Sequence, residues 1–231
     1  MKMYFSVLMA GSCVLFSGGL DSAVLLASEH RHHAPAQPVH VRSGFAWEDE
    51  ERRAIDRLLR HPAFAGVSPL RSLAVDLRDV YPPEHWAIAG TPPAYDTPDE
   101  DVYLEGRNIT LISKAAVLCG RMRIHRLALG PLADNPFPDA SPVFFETMAR
   151  AMSLGIGREL AIVTPLAGLH KDDVIKMGAE IGVPMELSMS CMKPRDGVHC
   201  GACSKCRERR DAFAAAGVPD RTVYAVEWTR T

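Results

Sequence analysis

Long apolar runs are missing from this 231-residue chain. No stretch reaches the roughly 20 apolar residues that a membrane helix needs, so a membrane-spanning reading finds no support. The apolar run Met3–Ala10 is also too short for a secretory leader, and it leads through Gly11-Ser12 towards an apolar strand. The cytoplasm is therefore the expected location. A surplus of charge is missing too: 26 Lys and Arg face 28 Asp and Glu, for a net charge of −2. That balance gives no support for broad nucleic-acid binding, which needs a basic stripe. Internal repeats and low-complexity tracts are absent. Hydrophobic residues make up 47% of the chain, enough for a sizeable core and one domain with at most a small appendage.

Cysteine is sparse except in one place. Cys13 and Cys119 stand in apolar surroundings and read as buried thiols. The other four, Cys191, Cys200, Cys203 and Cys206, crowd into "SCMKPRDGVHCGACSKCRERR". In a cytosolic chain such crowding points to metal rather than to structural disulfides. Four thiolates close a tetrahedral Zn²⁺ site with no open position, which makes the site structural. A Cys₄ iron–sulfur cluster and redox disulfides are the alternatives. His199 is placed beside the ligands rather than among them.

Short apolar runs alternate with helical patterns. Strands are expected at Cys13–Phe16, Val39–Val41, Ser72–Leu77, Leu127–Leu129 and Ala161–Val163. Helices are expected at Asp21–Glu29, Asp49–Leu59, Asn108–Cys119, Val143–Leu154 and Val174–Ile181. The Pro-rich stretch Tyr81–Pro98 reads as a long loop. Strand alternating with helix implies an α/β fold, a doubly wound and mainly parallel sheet with helices on both faces. From Ser188 onward the pattern changes to Cys, Gly and charge. The expected division is a main domain over 1–187 and a small C-terminal zinc-binding segment over 188–231.

Ser17-Gly18-Gly19-Leu20-Asp21-Ser22 follows the first strand and opens the first helix. Glycines there let the backbone turn tightly and expose successive N–H groups. With the partial positive charge of the helix N-terminus, those groups form an anion site. The hydroxyls of Ser17 and Ser22 add donors. No Lys follows the glycines, so this is not the Walker loop, and it is not G-x-G-x-x-G. Asp21 would repel phosphates unless a cation lay between them; on its own it is equally a plain helix-start acid that interacts with the dipole.

The six-residue string in this context resembles the pyrophosphate loop of the PP-loop, or N-type ATP pyrophosphatase, superfamily, whose fold is adenine nucleotide alpha hydrolase-like. Further strings narrow the resemblance: "GRN" at Gly106–Asn108, "FPD" at Phe137–Asp139, "TPL" at Thr164–Leu166, Lys171 within "LHKDDVIKMG", and the closing "SC…HCGACSKCRERRDAFAAAGVPD". Together they resemble the QueC, or 7-cyano-7-deazaguanine synthase, family over nearly the whole chain.

The resemblance implies an ATP-dependent carbon–nitrogen ligase of queuosine biosynthesis. Its substrates would be ATP, ammonia and 7-carboxy-7-deazaguanine, its metals Mg²⁺ and Zn²⁺, and its assembly a homodimer. The residues carried over are Ser17, Gly18, Gly19, Leu20, Asp21 and Ser22 for the nucleotide. Asp21, Arg107 and Lys171 would serve catalysis. Gly106, Arg107, Asn108, Asp134 and Asp139 would bind substrate, and Cys191, Cys200, Cys203 and Cys206 the metal. Arg107 would face phosphates or substrate with its planar fork; Asn108 is equally a helix cap, and Asp134 and Asp139 equally plain loop acids. The family's Tyr-Gly-Gln-Arg-His string after the second strand is here "SGFAWEDEE", Ser43–Glu51, which keeps only its glycine. That leaves two other readings: adenylation of a different acceptor, including sulfur transfer to tRNA, or a non-catalytic nucleotide-binding protein.

Overall fold

A computed structural model describes residues 11–133 and 135–226. Met3–Ala10 and Asp134 lie outside the described residues. Five parallel strands form one sheet: β1 (Ser12–Leu15), β2 (Ala36–Arg42), β3 (Arg71–Ala74), β4 (Arg126–Ala128) and β5 (Ala161–Val163). Their spatial order is β3-β2-β1-β4-β5. β1 pairs with β2 through Val14 opposite Pro38 and with β4 through Val14 opposite Ala128. The chain leaves β1 towards one edge and later returns to build the other. The carboxyl end of β1 therefore lies at the point where the strand order reverses, where open α/β sheets bind ligands.

Helices cover both faces, as the alternation predicts. On one side α1 (Leu20–His32), α2 (Glu48–Arg60) and α6 (Lys171–Glu180) bury Val24, Leu25, Ile55, Leu58, Val174 and Ile175 against Val14 and Phe16. On the other, α4 (Arg107–Met122) and α5 (Pro142–Ile156) bury Ile112, Ala115, Ala116, Cys119 and Phe145 against Cys13, Val39, Val41 and Leu127. Both free thiols of the sequence reading, Cys13 and Cys119, sit in this second core.

Four stretches differ from the sequence expectation. The loop Tyr81–Pro98 contains one helical turn, α3 (Trp86–Ala89), started by His85 and stopped at Gly90 with φ +69°. α6 begins at Lys171, three residues early, because His170 and Asp173 cap it reciprocally. From within the cysteine cluster, Ser204–Ala216 forms a helix, α7, whose first turn carries Cys206. Its charged exterior hides the pattern, but Ala212 and Phe213 pack into the core shared by α1 and α6. β3 is shorter than expected, ending at Ala74.

A third cluster lies beyond the carboxyl edge of the sheet. It joins Phe45, Trp47, Tyr81, Ala87, Val102 and Leu104 to Met189, Met192 and all four clustered cysteines. The long loop is thus folded against the cysteine segment. Arg207 donates to the carbonyls of Tyr95 and Thr97 at 2.9 and 3.0 Å, and Ala94 bridges to Cys203.

Candidate active site and metal centre

The Gly-rich turn has the geometry its sequence suggests. Gly18 adopts φ +77°, and a Cβ there would meet Ile55 Cγ1 at 2.9 Å and the Glu51 carbonyl at 3.1 Å. Only glycine fits both demands. Ser17 Oγ accepts from Gly19 N–H at 3.3 Å, and Ser22 Oγ donates to the Gly19 carbonyl at 2.9 Å. The two hydroxyls stand 3.3 Å apart. Met189 N–H donates to the Gly18 carbonyl at 2.8 Å, which ties the turn to the strand of chain leading into the cysteines.

This turn forms the floor of a cavity of about 370 Å³ that opens at the ends of β1, β2 and β4. Ser17, Gly19, Leu20, Asp21, Ser22, Arg107, Asn108 and Lys171 all line it. Residues separated by up to 154 positions in sequence, Ser17 and Lys171, therefore meet at one place. Gly18, Gly106 and Asp139 act from behind that wall. Gly106, at φ +72°, turns the chain into α4. Asp139 is buried and accepts from Asn108 N–H at 3.0 Å, while Asn108 Nδ2 donates to the Asp139 carbonyl at 2.9 Å. Asp139 thus caps α4 and orients Arg107 beside it; burial pushes its carboxyl above the usual range, against the pull of Asn108 and Arg107.

Lys171 sits between two carboxylates, paired with Asp21 Oδ2 and with Glu208 Oε1 at 3.2 Å. Burial disfavours its charge, but the two acids outweigh burial and raise its pKa. Glu208 also accepts from Lys205 at 2.6 Å. Burial opposes its ionisation, yet the two lysines hold its carboxyl down at about 2. Asp21 Oδ1 is buried and accepts from no described residue. That bare oxygen suits Mg²⁺, which takes one or two carboxylates and completes its shell with phosphate and water.

Four further cavity residues were not anticipated. Arg209 is 1% exposed and holds its guanidinium on neutral groups: Thr222 Oγ1, Ser188 Oγ, Ser190 Oγ and the Met185 carbonyl, at 2.7–3.2 Å. No carboxylate hydrogen-bonds to it among the described residues, so it adds positive potential to the cavity. His40 donates from Nδ1 to the Phe16 carbonyl at 3.3 Å, and its buried Nε2 has no partner. Burial lowers its pKa to about 4, so the ring is neutral and Nε2 is an acceptor. Glu51 lies in the wall on α2, and Glu208 on α7. One signal was available for Glu51: it falls at i, i+3, i+4 and i+7 spacing with Ala54, Ile55 and Leu58, an acid on the buried face of a helix. His40 gives none, because β2 is buried on both faces and carries no alternation.

The altered segment Ser43–Glu51 has its own structural logic. Glu48 is buried and takes the backbone N–H groups of Ser43 and Gly44, closing the turn after β2. Phe45 and Trp47 stack at 5.2 Å, and Trp47 stacks on Trp86 at 5.5 Å with planes 11° apart. Arg107 places its guanidinium 5.8 Å from the Phe45 ring, and its buried Nε finds no partner among the described residues.

Cys191, Cys200, Cys203 and Cys206 are all buried, with their sulfurs within 4.8 Å of one another. Three of the sulfur pairs measure 3.9, 3.9 and 3.6 Å. A tetrahedral ion with bonds of about 2.3 Å needs sulfurs about 3.8 Å apart, so the cage fits one ion. Backbone N–H groups of Lys193, Cys200 and Ala202 point at Cys191 and Cys200 sulfurs at 3.2–3.4 Å, as thiolates require. His199 stands outside the cage: its Nε2 accepts from Ser190 N–H at 3.2 Å, and burial lowers its pKa to about 3.

Comparison with known proteins returns one family. The model described as "Queuosine biosynthesis protein QueC" matches residues 11–217. A 7-cyano-7-deazaguanine synthase of Methanothrix thermoacetophila is 31% identical, covering 94% of this chain and 99% of its own. One of Xanthomonas campestris pv. campestris is 33% identical over the same shares, 94% and 99%. Among solved structures, the U34-tRNA thiolase NcsA from Methanococcus maripaludis aligns over 92% of this chain and 74% of its own, at 12% identity and a TM-score of 0.48, a likeness that carries no argument about the site.

Proposed function

Because the chain belongs to the QueC family, we propose that it is a 7-cyano-7-deazaguanine synthase, an ATP-dependent ligase that turns 7-carboxy-7-deazaguanine and ammonia into the nitrile. The observation that supports this most is the single cavity in which the Ser17–Ser22 turn, Arg107 and Lys171 converge.

A carboxylate is a poor electrophile. Transfer of AMP from ATP to its oxygen supplies a leaving group, and ammonia then displaces AMP to give the amide. A second adenylation, on the amide oxygen, is followed by loss of AMP and protons to leave the nitrile. The chain's own part is charge and orientation. The N–H groups at Gly19 and Leu20, with the start of α1, would cradle the departing pyrophosphate. Lys171 and the buried Arg209 would balance its charge, and Asp21 would hold Mg²⁺, which supplies Lewis-acid neutralisation of the phosphates. Arg107, fixed through its neighbour Asn108 by Asp139, would steer the substrate.

The cysteine cage is read as a zinc site. It holds Ser190 and Met192 in the cavity wall and, through Met189, the turn that carries Gly18. Its role is therefore to keep the cavity's shape, not to take part in bond making. The same reading takes the chain to work in the cytoplasm as a homodimer; among the described residues no helix is long and apolar enough to cross a membrane.

The test is direct. Purified protein is incubated with ATP, Mg²⁺, ammonia and 7-carboxy-7-deazaguanine, and products are followed by mass spectrometry. Nitrile together with AMP and pyrophosphate is expected. AMP release without nitrile would point to another acceptor, and ATP binding without AMP release to a non-catalytic protein.

A further inference from the structure

Glu51 is a carboxylate that the fold buries in the cavity wall without pairing it to a cation among the described residues. Its residue is 8% exposed. One oxygen accepts from Trp47 Nε1–H at 3.1 Å, and the described residues offer the other no hydrogen bond. Burial pushes its carboxyl up to about 7, with the charge of Arg107 pulling the other way. A helix that needed only stability at this position would carry an apolar residue, as its neighbours Ala54, Ile55 and Leu58 do. The acid is thus retained at a cost, beside a second orphan of complementary kind, the buried Arg107 Nε–H.

The surroundings say what would satisfy both. Trp47 and Trp86 present stacked aromatic surface to the same cavity, which suits a flat ring. The carboxylate calls for two neighbouring N–H donors, and the guanidinium for an acceptor. An amino-pyrimidinone edge has this pattern, with N1–H and the 2-amino group side by side and a carbonyl oxygen next to them. Adenine does not: its N1 is an acceptor, and a carboxylate would repel it. The other buried acids near the site are already engaged: Asp139 spends one oxygen on Asn108 N–H, and Glu48 takes the N–H groups of Ser43 and Gly44.

We propose that Glu51 is the specificity residue that reads the N1–H and 2-amino edge of the deazaguanine, with Arg107 Nε–H at the adjoining carbonyl oxygen. This rests on the synthase reading above and adds to it the group that tells a guanine-type ring from other carboxylates.

The experiment compares 7-carboxy-7-deazaguanine with its analogue lacking the 2-amino group, 7-carboxy-7-deazahypoxanthine, in the wild-type protein and in Glu51→Gln and Glu51→Asp. A charge-assisted hydrogen bond of this kind is worth roughly 10- to 100-fold in kcat/KM. Wild type should prefer the 2-amino substrate by at least that factor. Glu51→Gln should raise KM for it by at least roughly 10-fold and flatten the preference, with the KM for ATP unchanged; Glu51→Asp should keep part of the preference. Gln has the same shape and removes a buried charge, so the variant should fold; a melting curve checks it. Equal use of both substrates by wild type, a preference preserved in Glu51→Gln, or a rise confined to the KM for ATP would each overturn the proposal. Nitrile from neither substrate in the wild-type protein would overturn the synthase reading itself, and this inference with it.

Discussion

Glu51 should make stability fall as pH rises, the reverse of what a salt-bridged acid does. The folded chain raises its carboxyl from 4.5 to about 7, chiefly through burial, with Glu48 adding to the rise and Arg107 and Trp47 opposing it. Between those two values the folded chain holds a proton that the unfolded chain has released. Stability is therefore full below about 4.5, declines through neutrality and levels off above 7. At 1.36 kcal/mol per pH unit, the span amounts to about 3 kcal/mol, with an error of about 1. Glu51→Gln removes that term while keeping shape and the Trp47 contact. The variant should match wild type at pH 4 and exceed it by about 2–4 kcal/mol at pH 8, read from urea unfolding at both pH values with m unchanged. Glu208, held down at about 2, loses its stabilisation only as pH falls from 4.5 towards 2, and His40, lowered to about 4, costs stability as pH drops below 6.5. Both are present in wild type and variant, so they cancel in the difference. Parallel pH curves for the two proteins would refute the reasoning, because they would mean that the Glu51 charge is already compensated in the folded state. A variant less stable than wild type at pH 8 would do so more strongly.

Three other perturbations have definite expected outcomes. Lys171→Met strips Asp21 of its partner while leaving Glu208 with Lys205; it should cost about 1–3 kcal/mol in unfolding experiments and lower AMP release by about 100-fold or more, with partial recovery in Lys171→Arg. Gly18→Ala forces a left-handed backbone on an L-residue and drives Cβ to 2.9 Å from Ile55; a loss of about 2–4 kcal/mol in stability and a raised KM for ATP should follow. Elemental analysis should find one zinc per chain, and Cys203→Ser or chelation should remove it, depress the melting temperature and abolish nitrile formation. A metal-free chain with unchanged melting temperature would count against a structural metal.

How much of this was legible in the sequence depends on how local the cause is. The strand–turn–helix around Ser17–Ser22 is written in adjacent residues, and the structure has the turn, its serine hydrogen bonds and the glycine conformation in place. The cysteines are legible for the same reason: thiol chemistry at short spacing leaves few alternatives, and the sulfurs do converge. α7 was illegible because apolar Ala212 and Phe213 are few against its charged faces, and the rest of its buried side, Cys206 and Arg209, carries no apolar period. The turn α3 was hidden because its start depends on a side-chain cap from His85 rather than on periodicity. Arg209 and Glu208 were visible as charges in "CRERR" but not as buried ones, since burial is a property of what packs over them.

The replacement of the family's Tyr-Gly-Gln-Arg-His string shows where local reading stops. As sequence, "SGFAWEDEE" looks like the loss of a binding element, basic turned acidic. In the fold the same nine residues do three separate jobs. Glu48 satisfies the two backbone N–H groups after β2. Phe45 and Trp47 build an aromatic wall that reaches Trp86 in the long loop. Glu51 alone faces the cavity unpaired. The first of these jobs is structural and complete in itself, and the second builds a wall that packs on its own while bordering the cavity with Trp47 and Trp86. Only the third leaves a buried acid with one hydrogen bond, from Trp47, and no paired cation among the described residues, and a buried charge is stable only when something supplies the missing contact. Arg107 lies close enough to lower the Glu51 pKa but forms no hydrogen bond with it. The missing contact must then come from what enters the cavity, which is why the acidic segment is better read as a ligand-reading surface than as a site that has been lost.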